Sequence, residues 1–322
     1  MSDNTVTKGL YPVTVIMSTY NGHQYVEAQL DSIFAQEGVI IHLIVRDDGS
    51  SDDTREILSA YAEKINAAGT HTMKCIWGKN VGSCESFLEL IYDNYEGEYF
   101  SLADQDDVWD KDKLICAIRY MHEHADVEKK PVLYVSNLRI VDENLNYLRN
   151  NREDKPPTNK YNSFFEKWVT GCTAVYNRKL AALLHVYKPH HVIMHDSWVG
   201  LLGYQLGVFL YDIEPHMSYR QHGGNVMGAS TEQSAAGKLR RAVTRLQKEL
   251  ADEHHYAEYS AKEFVEHYYM YMTKSQLERA MAVANYREDL ASRVKLLTDK
   301  RYRLKPYSHD LKKSLMILLG KI

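Results

Sequence analysis

The feature that most limits what this chain can become is an alternation, repeated four times, of short β-branched runs with longer segments of helical period. VTVIM precedes a helical pattern over residues 25–36, IHLIV one over 52–67, MKCIW one over 83–95, and YFSLA one over 111–124. Strands that alternate with helices of this length form βαβ units, because parallel neighbours need a crossover connection long enough to hold a helix. The expected class is α/β, a mostly parallel sheet with flanking helices. Ligands in such sheets gather outside the carboxyl ends of the strands, which directs attention to the residues after each run. These are Ser18-Thr19-Tyr20-Asn21, Asp47-Asp48-Gly49-Ser50, Gly78-Lys79-Asn80-Val81-Gly82 and Asp104-Gln105-Asp106-Asp107.

With 322 residues, 44% of them hydrophobic, the chain can bury a sizeable core and carry an appendage besides. A net charge of −4 lacks the basic excess of nucleic-acid binders, so nucleic acid is not an expected partner. Cys75, Cys84, Cys116 and Cys172 are widely spaced and form no CxxC pair, which suggests neither a zinc site nor a disulfide framework. The polar opening MSDNTVTKGLYP lacks the pattern of a secretory signal, and no window approaches the roughly eighteen consecutive apolar residues of a membrane span. A cytoplasmic protein is expected, with any membrane contact peripheral and on the inner face.

Four clusters carry chemistry. Asp104 and Asp106, alternating at the mouth of a strand, can hold a hard divalent cation such as Mn2+ or Mg2+, the partner a diphosphate needs. An isolated Asp-x-Asp reads equally as an acidic turn capping the next helix. In the second cluster Gly49 suits a tight turn and Ser51 or Asp52 can cap a helix, which leaves Asp48 to accept a pyrimidine N–H while Tyr20 offers an aromatic face to the base. Asp196, in His195-Asp196-Ser197-Trp198, can take the proton of an attacking hydroxyl, or can simply cap a helix over residues 198–206. Finally, in YRQHGGNV, Arg220 can pair with a phosphate oxygen and neutral His222 can ligate the same metal, although single histidines are usually structural.

In this order the clusters resemble the family-2 glycosyltransferases of GT-A fold over about residues 11–226. VTVIMSTYNG is similar to that family's opening strand and base-binding turn, VRDDGSSDDT to its second nucleotide contact, GKNVGSCESF to the loop after the third strand and ADQDDVW to its metal-binding motif. The resemblance implies that Ser18, Tyr20, Asp48, Asn80, Gly82, Asp104, Gln105, Trp109 and Arg220 contact a nucleotide-diphosphate sugar. It implies that Asp104, Asp106 and His222 serve the metal, and that Asp196 is the base of an inverting transfer. ADQDDVW with HDSW and YRQHGGN looks most like rhamnosyltransferase-type enzymes that extend bacterial surface polysaccharides, with dTDP-rhamnose as donor and an oligosaccharide or polyprenyl-diphosphate-linked acceptor. UDP-galactose or UDP-glucose is the alternative donor. His195 and Ser86 depart from residues common in the wider family, where an acidic residue and an asparagine are usual.

Beyond a boundary expected at residues 229–236 the pattern is helical throughout, giving a catalytic domain over 1–230 and a helical region over 231–322. Residues 238–250 form a basic amphipathic pattern, and residues 310–322 a second, with Leu311, Leu315, Leu318, Leu319 and Ile322 on one side. Such helices can lie on an anionic membrane surface, or they pack on the catalytic domain or join subunits into a homodimer, the commoner fate of amphipathic helices. Two other enzyme classes fit less well: a glycoside hydrolase has no need of paired base- and metal-binding turns, and the first turn, STYNGHQY, lacks the glycine-rich basic loop of a nucleotidyltransferase. A non-catalytic carbohydrate-binding protein would not require Asp104, Asp106 and Asp196 together.

Overall fold

The computed structural model describes residues 10–94, 96–156, 159–166, 169–222 and 255–322. Two compact units divide the chain: Met1–Lys155, Val169–His185 and Gly207–Arg220 form the first, and Pro156–Trp168, Val186–Leu206 and Gln221–Ile322 the second. The boundary expected at residues 229–236 and the basic pattern over 238–250 lie outside the described residues.

The first unit opens with the anticipated alternation: β1 (Tyr11–Thr19), α1 (Val26–Phe34), β2 (Val39–Asp47), α2 (Thr54–Ala68), β3 (Thr72–Trp77), α3 (Ser83–Asp93) and β4 (Tyr99–Ala103). There follow β5 (Val108–Trp109), α4 (Lys113–His124), β6 (Val132–Val141), β7 (Tyr147–Asn150), β8 (Ala174–Asn177), α5 (Arg178–Leu184) and β9 (Val208–Arg220). The sheet runs β3-β2-β1-β4-β8-β6-β9-β5, with β7 paired to β6. It is parallel from β3 through β4, and turns mixed where β8 enters antiparallel to both β4 and β6. Its core joins Val13, Val15 and Met17 of β1 to Ile41, Leu43 and Val45 of β2. Helices cover it with residues at helical spacing, Val26, Leu30 and Ile33 from α1 and Leu114, Ala117, Ile118 and Met121 from α4.

The second unit contains α6 (His195–Leu206), α7 (Tyr256–Tyr268), α8 (Lys274–Ala284), α9 (Leu290–Thr298) and α10 (Tyr307–Leu318). Thr273 and Gln276 close a reciprocal capping box at the start of α8. A separate core gathers Ala261, Val283, Tyr286, Leu296, Tyr302 and Ile317. Within the described residues no helix is long and apolar enough to cross a membrane.

Candidate functional site

Parallel register puts the ends of β1, β2 and β3 level, Thr19 opposite Asp47 and Asp47 opposite Trp77, so the turns that follow share one edge. Asp48 N–H donates to Thr19 O (2.7 Å) and Gly78 N–H to Asp47 O (2.9 Å), which extends the ladder into the turns. Asn21, at φ 48°, accepts the Ser51 N–H on Oδ1 (2.9 Å). The N-cap residue of α2 is Asp53, not Ser51 or Asp52, and its side chain makes no capping bond. Asp52, one residue earlier, accepts the Thr54 N–H (3.1 Å) on one oxygen and the His23 N–H (3.2 Å) on the other, which ties the first turn to the second.

The two adjacent aspartates do different work. Asp47, fully buried, accepts from the N–H of Ser50 (3.0 Å), the Ser50 hydroxyl and Arg55. Burial alone would raise its pKa, but these hydrogen bonds prevail and hold it below the ordinary carboxylate range. Asp48 is also buried and pairs with Arg46, while its oxygens accept the N–H groups of Val81 and Gly82, both at 2.9 Å. The position read as a base contact therefore holds the third turn in place. Arg46 continues to Glu89 (2.7 Å) and to Ser86 Oγ (3.1 Å), and Ser86 Oγ lies 2.6 Å from Ser18 Oγ. The departure at Ser86 thus links Ser18 to the Arg46–Asp48 pair. Tyr20, Asn80, Val81 and Gly82 are exposed along this edge.

After β4 the chain turns through Asp104, Gln105 and Asp106, which are partly exposed, to Asp107, which is fully buried. Ligand atoms of Asp104, Asp107 and Cys172 lie within 4.8 Å of one another. Burial first, then the charges of Asp104 and Asp106, push the Asp107 carboxyl well above its usual range. Its Oδ1 accepts the Arg220 N–H (3.2 Å), whereas Oδ2 has no hydrogen-bond partner of normal geometry among the described residues. Such a group fits a nearby divalent cation, which would offset the repulsion among three carboxylates; the protonated, buried Cys172 thiol is the weaker match to a hard ion.

Two expected ligand contacts are placed inside the protein. Trp109 is 3% exposed and belongs to the core, with the buried Lys113 ammonium 3.4 Å from its ring centroid. Burial holds the Lys113 pKa down to about 7 against the upward pull of Cys172, Asp107 and Asp104. Arg220 donates from Nε to Asp106 O (2.9 Å) and from its terminal nitrogen to Glu143 O (2.6 Å), and lies over the Tyr25 ring at 4.6 Å. The guanidinium braces the acidic turn from behind. The sequence assigns no role to Asp107, Lys113 or Cys172; Asp107 is visible in it as the third carboxylate of DQDD, but nothing local points to Cys172.

In the second unit, α6 begins at His195, so Asp196 sits inside its first turn and not at a cap before residue 198. His195 is buried, and burial lowers its pKa to about 4 although the Asp196 charge works the other way. His222 also falls in this unit and is partly buried.

The model of a family described as "Glycosyl transferase family 2" matches residues 14–183. The dTDP-rhamnosyl transferase RfbG of Shigella flexneri is 29% identical over 261 residues, covering 74% of this chain and 85% of that protein. The uncharacterized glycosyltransferase RP339 of Rickettsia prowazekii is 24% identical over 226 residues, or 69% and 67% of the two chains. Among solved structures, S. aureus TarS 1–349 in complex with UDP-GlcNAc superposes with a TM-score of 0.53 at 16% identity, over 95% of this chain and 90% of that one. That likeness concerns the fold, and the family match spans more than half of the sequence. The chain belongs to glycosyl transferase family 2 and has a GT-A fold.

Proposed function

We propose that this glycosyltransferase is divalent-metal-dependent and inverting, and that it moves rhamnose from dTDP-rhamnose to a hydroxyl of a growing, lipid-linked surface polysaccharide. Similarity to RfbG across most of both chains carries the choice of donor. The edge formed by Tyr20, Asn80 and Gly82 would receive the nucleotide. Asp104 and Asp106 would hold a Mn2+ or Mg2+ ion, with His222 as a further ligand, and the ion would neutralise charge developing on the leaving diphosphate. Asp107 and Arg220 keep the acidic turn in place. Asp196 would accept the acceptor's hydroxyl proton as its oxygen bonds to the anomeric carbon and the bond to the diphosphate breaks.

A contact with anionic membrane is part of the reading. Along α10, Tyr307, Leu311, Leu315 and Leu318 are 70%, 54%, 41% and 60% exposed, on the side opposite the buried Lys313, Met316 and Ile317. Lys300, Arg303, Lys305 and Lys312 lie in the same stretch, where Asp310 is the one acidic residue between 300 and 322. An apolar stripe with cations beside it is the composition of a membrane-surface helix.

Donor-only turnover tests the central reading. Purified protein with Mn2+ or Mg2+ is given dTDP-, UDP- and GDP-sugars, and slow release of free nucleoside diphosphate is followed. Release from dTDP-rhamnose, abolished by chelator and by Asp106→Ala, is expected. Release from a UDP-hexose alone would replace the donor, and failure of every nucleoside diphosphate to bind in the presence of metal would overturn the assignment.

A further inference from the structure

We propose that Asp112, Cys116 and His216 form a second cation site, built for a borderline-soft divalent transition ion of the zinc type and separate from the acidic turn after β4. It stands apart from the identity of the donor. Asp112 is the N-cap residue of α4, and Cys116 N–H donates to Asp112 O (2.9 Å), so the two side chains rise from one face a turn apart. His216 comes from β9, whose carbonyl at that residue accepts the Asp110 N–H (3.1 Å) and keeps the strand beside the start of the helix.

The three ligand atoms lie close enough to share one ion after small side-chain adjustments. Cys116 Sγ lies 3.5 Å from Asp112 Oδ2, His216 Nδ1 lies 3.6 Å from Asp112 Oδ1, and all three ligand atoms fall within 4.8 Å of one another. With metal–sulfur bonds of about 2.3 Å and metal–nitrogen or –oxygen bonds of about 2.0–2.1 Å, tetrahedral geometry sets ligand atoms about 3.3–3.7 Å apart. Behind the imidazole, His216 Nε2 faces Asp212 Oδ2 at 3.6 Å, and that oxygen accepts the Tyr134 hydroxyl at 3.0 Å. With a carboxylate in this place to hold the Nε2 proton, the Nδ1 lone pair, once freed of its own proton, would face an ion between Asp112 and Cys116.

A sulfur, nitrogen and carboxylate set disfavours Mg2+ and Mn2+ and suits zinc. The thiol proton and the Nδ1 proton that the Asp212 and Asp112 carboxylates favour on His216 go to solvent on binding, and thiolate and carboxylate together neutralise the ion. The side chain of His216 is 15% exposed and that of Asp112 55%, so the ion enters from the Asp112 side and a water completes the sphere. Bound there, it would clamp the start of α4 to β9, the strand that carries Arg220 to the acidic turn. The wide spacing of cysteines hid the site, because its histidine is 100 residues from Cys116 in sequence.

Cobalt(II) titration of the metal-stripped full chain reads the site directly through sulfur-to-cobalt charge-transfer absorption. We expect one equivalent to produce the band, zinc to displace it, Cys116→Ser and His216→Ala to remove it, and Cys172→Ser to leave it. Asp212→Asn should keep the band and weaken binding about 10- to 100-fold. Circular dichroism confirms that each variant is folded, and zinc should raise the melting temperature of wild type but not of Cys116→Ser. A folded wild type without the band overturns the proposal. So does a band that survives Cys116→Ser and disappears in Cys172→Ser, since the ion would then sit with Asp104 and Asp107.

Discussion

The side-chain amide of Gln105 clasps the main chain of Tyr20, accepting its N–H on Oε1 (2.9 Å) and donating from Nε2 to its carbonyl (3.1 Å). The turn that bears the exposed aromatic ring and the turn that bears the acidic residues are therefore one unit, although 85 residues separate them. Gly22 completes the arrangement, because a Cβ there would lie 2.7 Å from Gln105 Cδ.

Gly22→Ala should dislodge the clasp and weaken nucleotide binding several-fold. In Gly22→Ala/Gln105→Ala the clash has no partner, so the double variant should bind no worse than Gln105→Ala alone. A coupling energy of about 0.5–1.5 kcal/mol from a double-mutant cycle on nucleotide affinity is the expected result.

Two glycines separate backbone strain from steric overlap. At Gly69 (φ 76°) an added methyl would have nothing within 4 Å, whereas at Gly49 (φ 87°) it would be 2.9 Å from the Asn80 backbone nitrogen. Gly69→Ala should cost about 1 kcal/mol, the left-handed penalty alone. Gly49→Ala should cost at least about 1 kcal/mol more, because backbone must move, and urea melts of the two variants give the difference directly.

Asp48→Asn should cost about 2–3 kcal/mol at neutral pH. The buried Arg46 loses its nearest carboxylate but keeps Glu89, which places the expected loss below that of a fully orphaned charge. Denaturant midpoints measure it, and an unchanged m-value would show that the fold persists.

Stability of the second unit should fall in acid because His195 is buried neutral. Its folded pKa, near 4, is below the ordinary value of 6.5, so the unfolded chain takes up the proton first. The contribution is complete above about pH 6.5, is lost as pH falls toward 4, and amounts to about 3 kcal/mol in all. His195→Met should flatten this part of the pH–stability curve relative to wild type; an unchanged slope would remove His195 as its source.

Leu311→Ser/Leu315→Ser/Leu318→Ser alters exposed positions of α10 and should leave the melting temperature nearly unchanged. The same variant should lose co-sedimentation with vesicles that contain anionic lipid. Wild-type binding should weaken with salt, each nearby cation contributing about 1 kcal/mol. If wild type ignores the vesicles and instead dimerises through this face, the membrane reading fails.

The first four strands and their helices were legible because β-branched runs and helical periods are local signals, and the β1–β4 edge follows from parallel pairing. The entry of β8 between β4 and β6 was not, since antiparallel insertion depends on partners far away in sequence. Chemical type was likewise easier to read than role. Arg220 announces a cation after a strand, but its acceptors, the carbonyls of Asp106 and Glu143, are 114 and 77 residues distant. The family resemblance implies a donor contact at Trp109, yet its two-residue strand carries it into the core.

The third turn, between Gly78 and Gly82, is secured through its main chain: Lys79 O accepts from Arg46, and Val81 and Gly82 donate to Asp48. Holding a loop by its peptide groups leaves the identity of its outward side chains open to drift. Asn80 and Val81 can be exchanged while Arg46 and Asp48 keep the loop's path, so if the nucleotide sugar lies along this edge as proposed, its donor preference would be adjustable without first having to repair the scaffold.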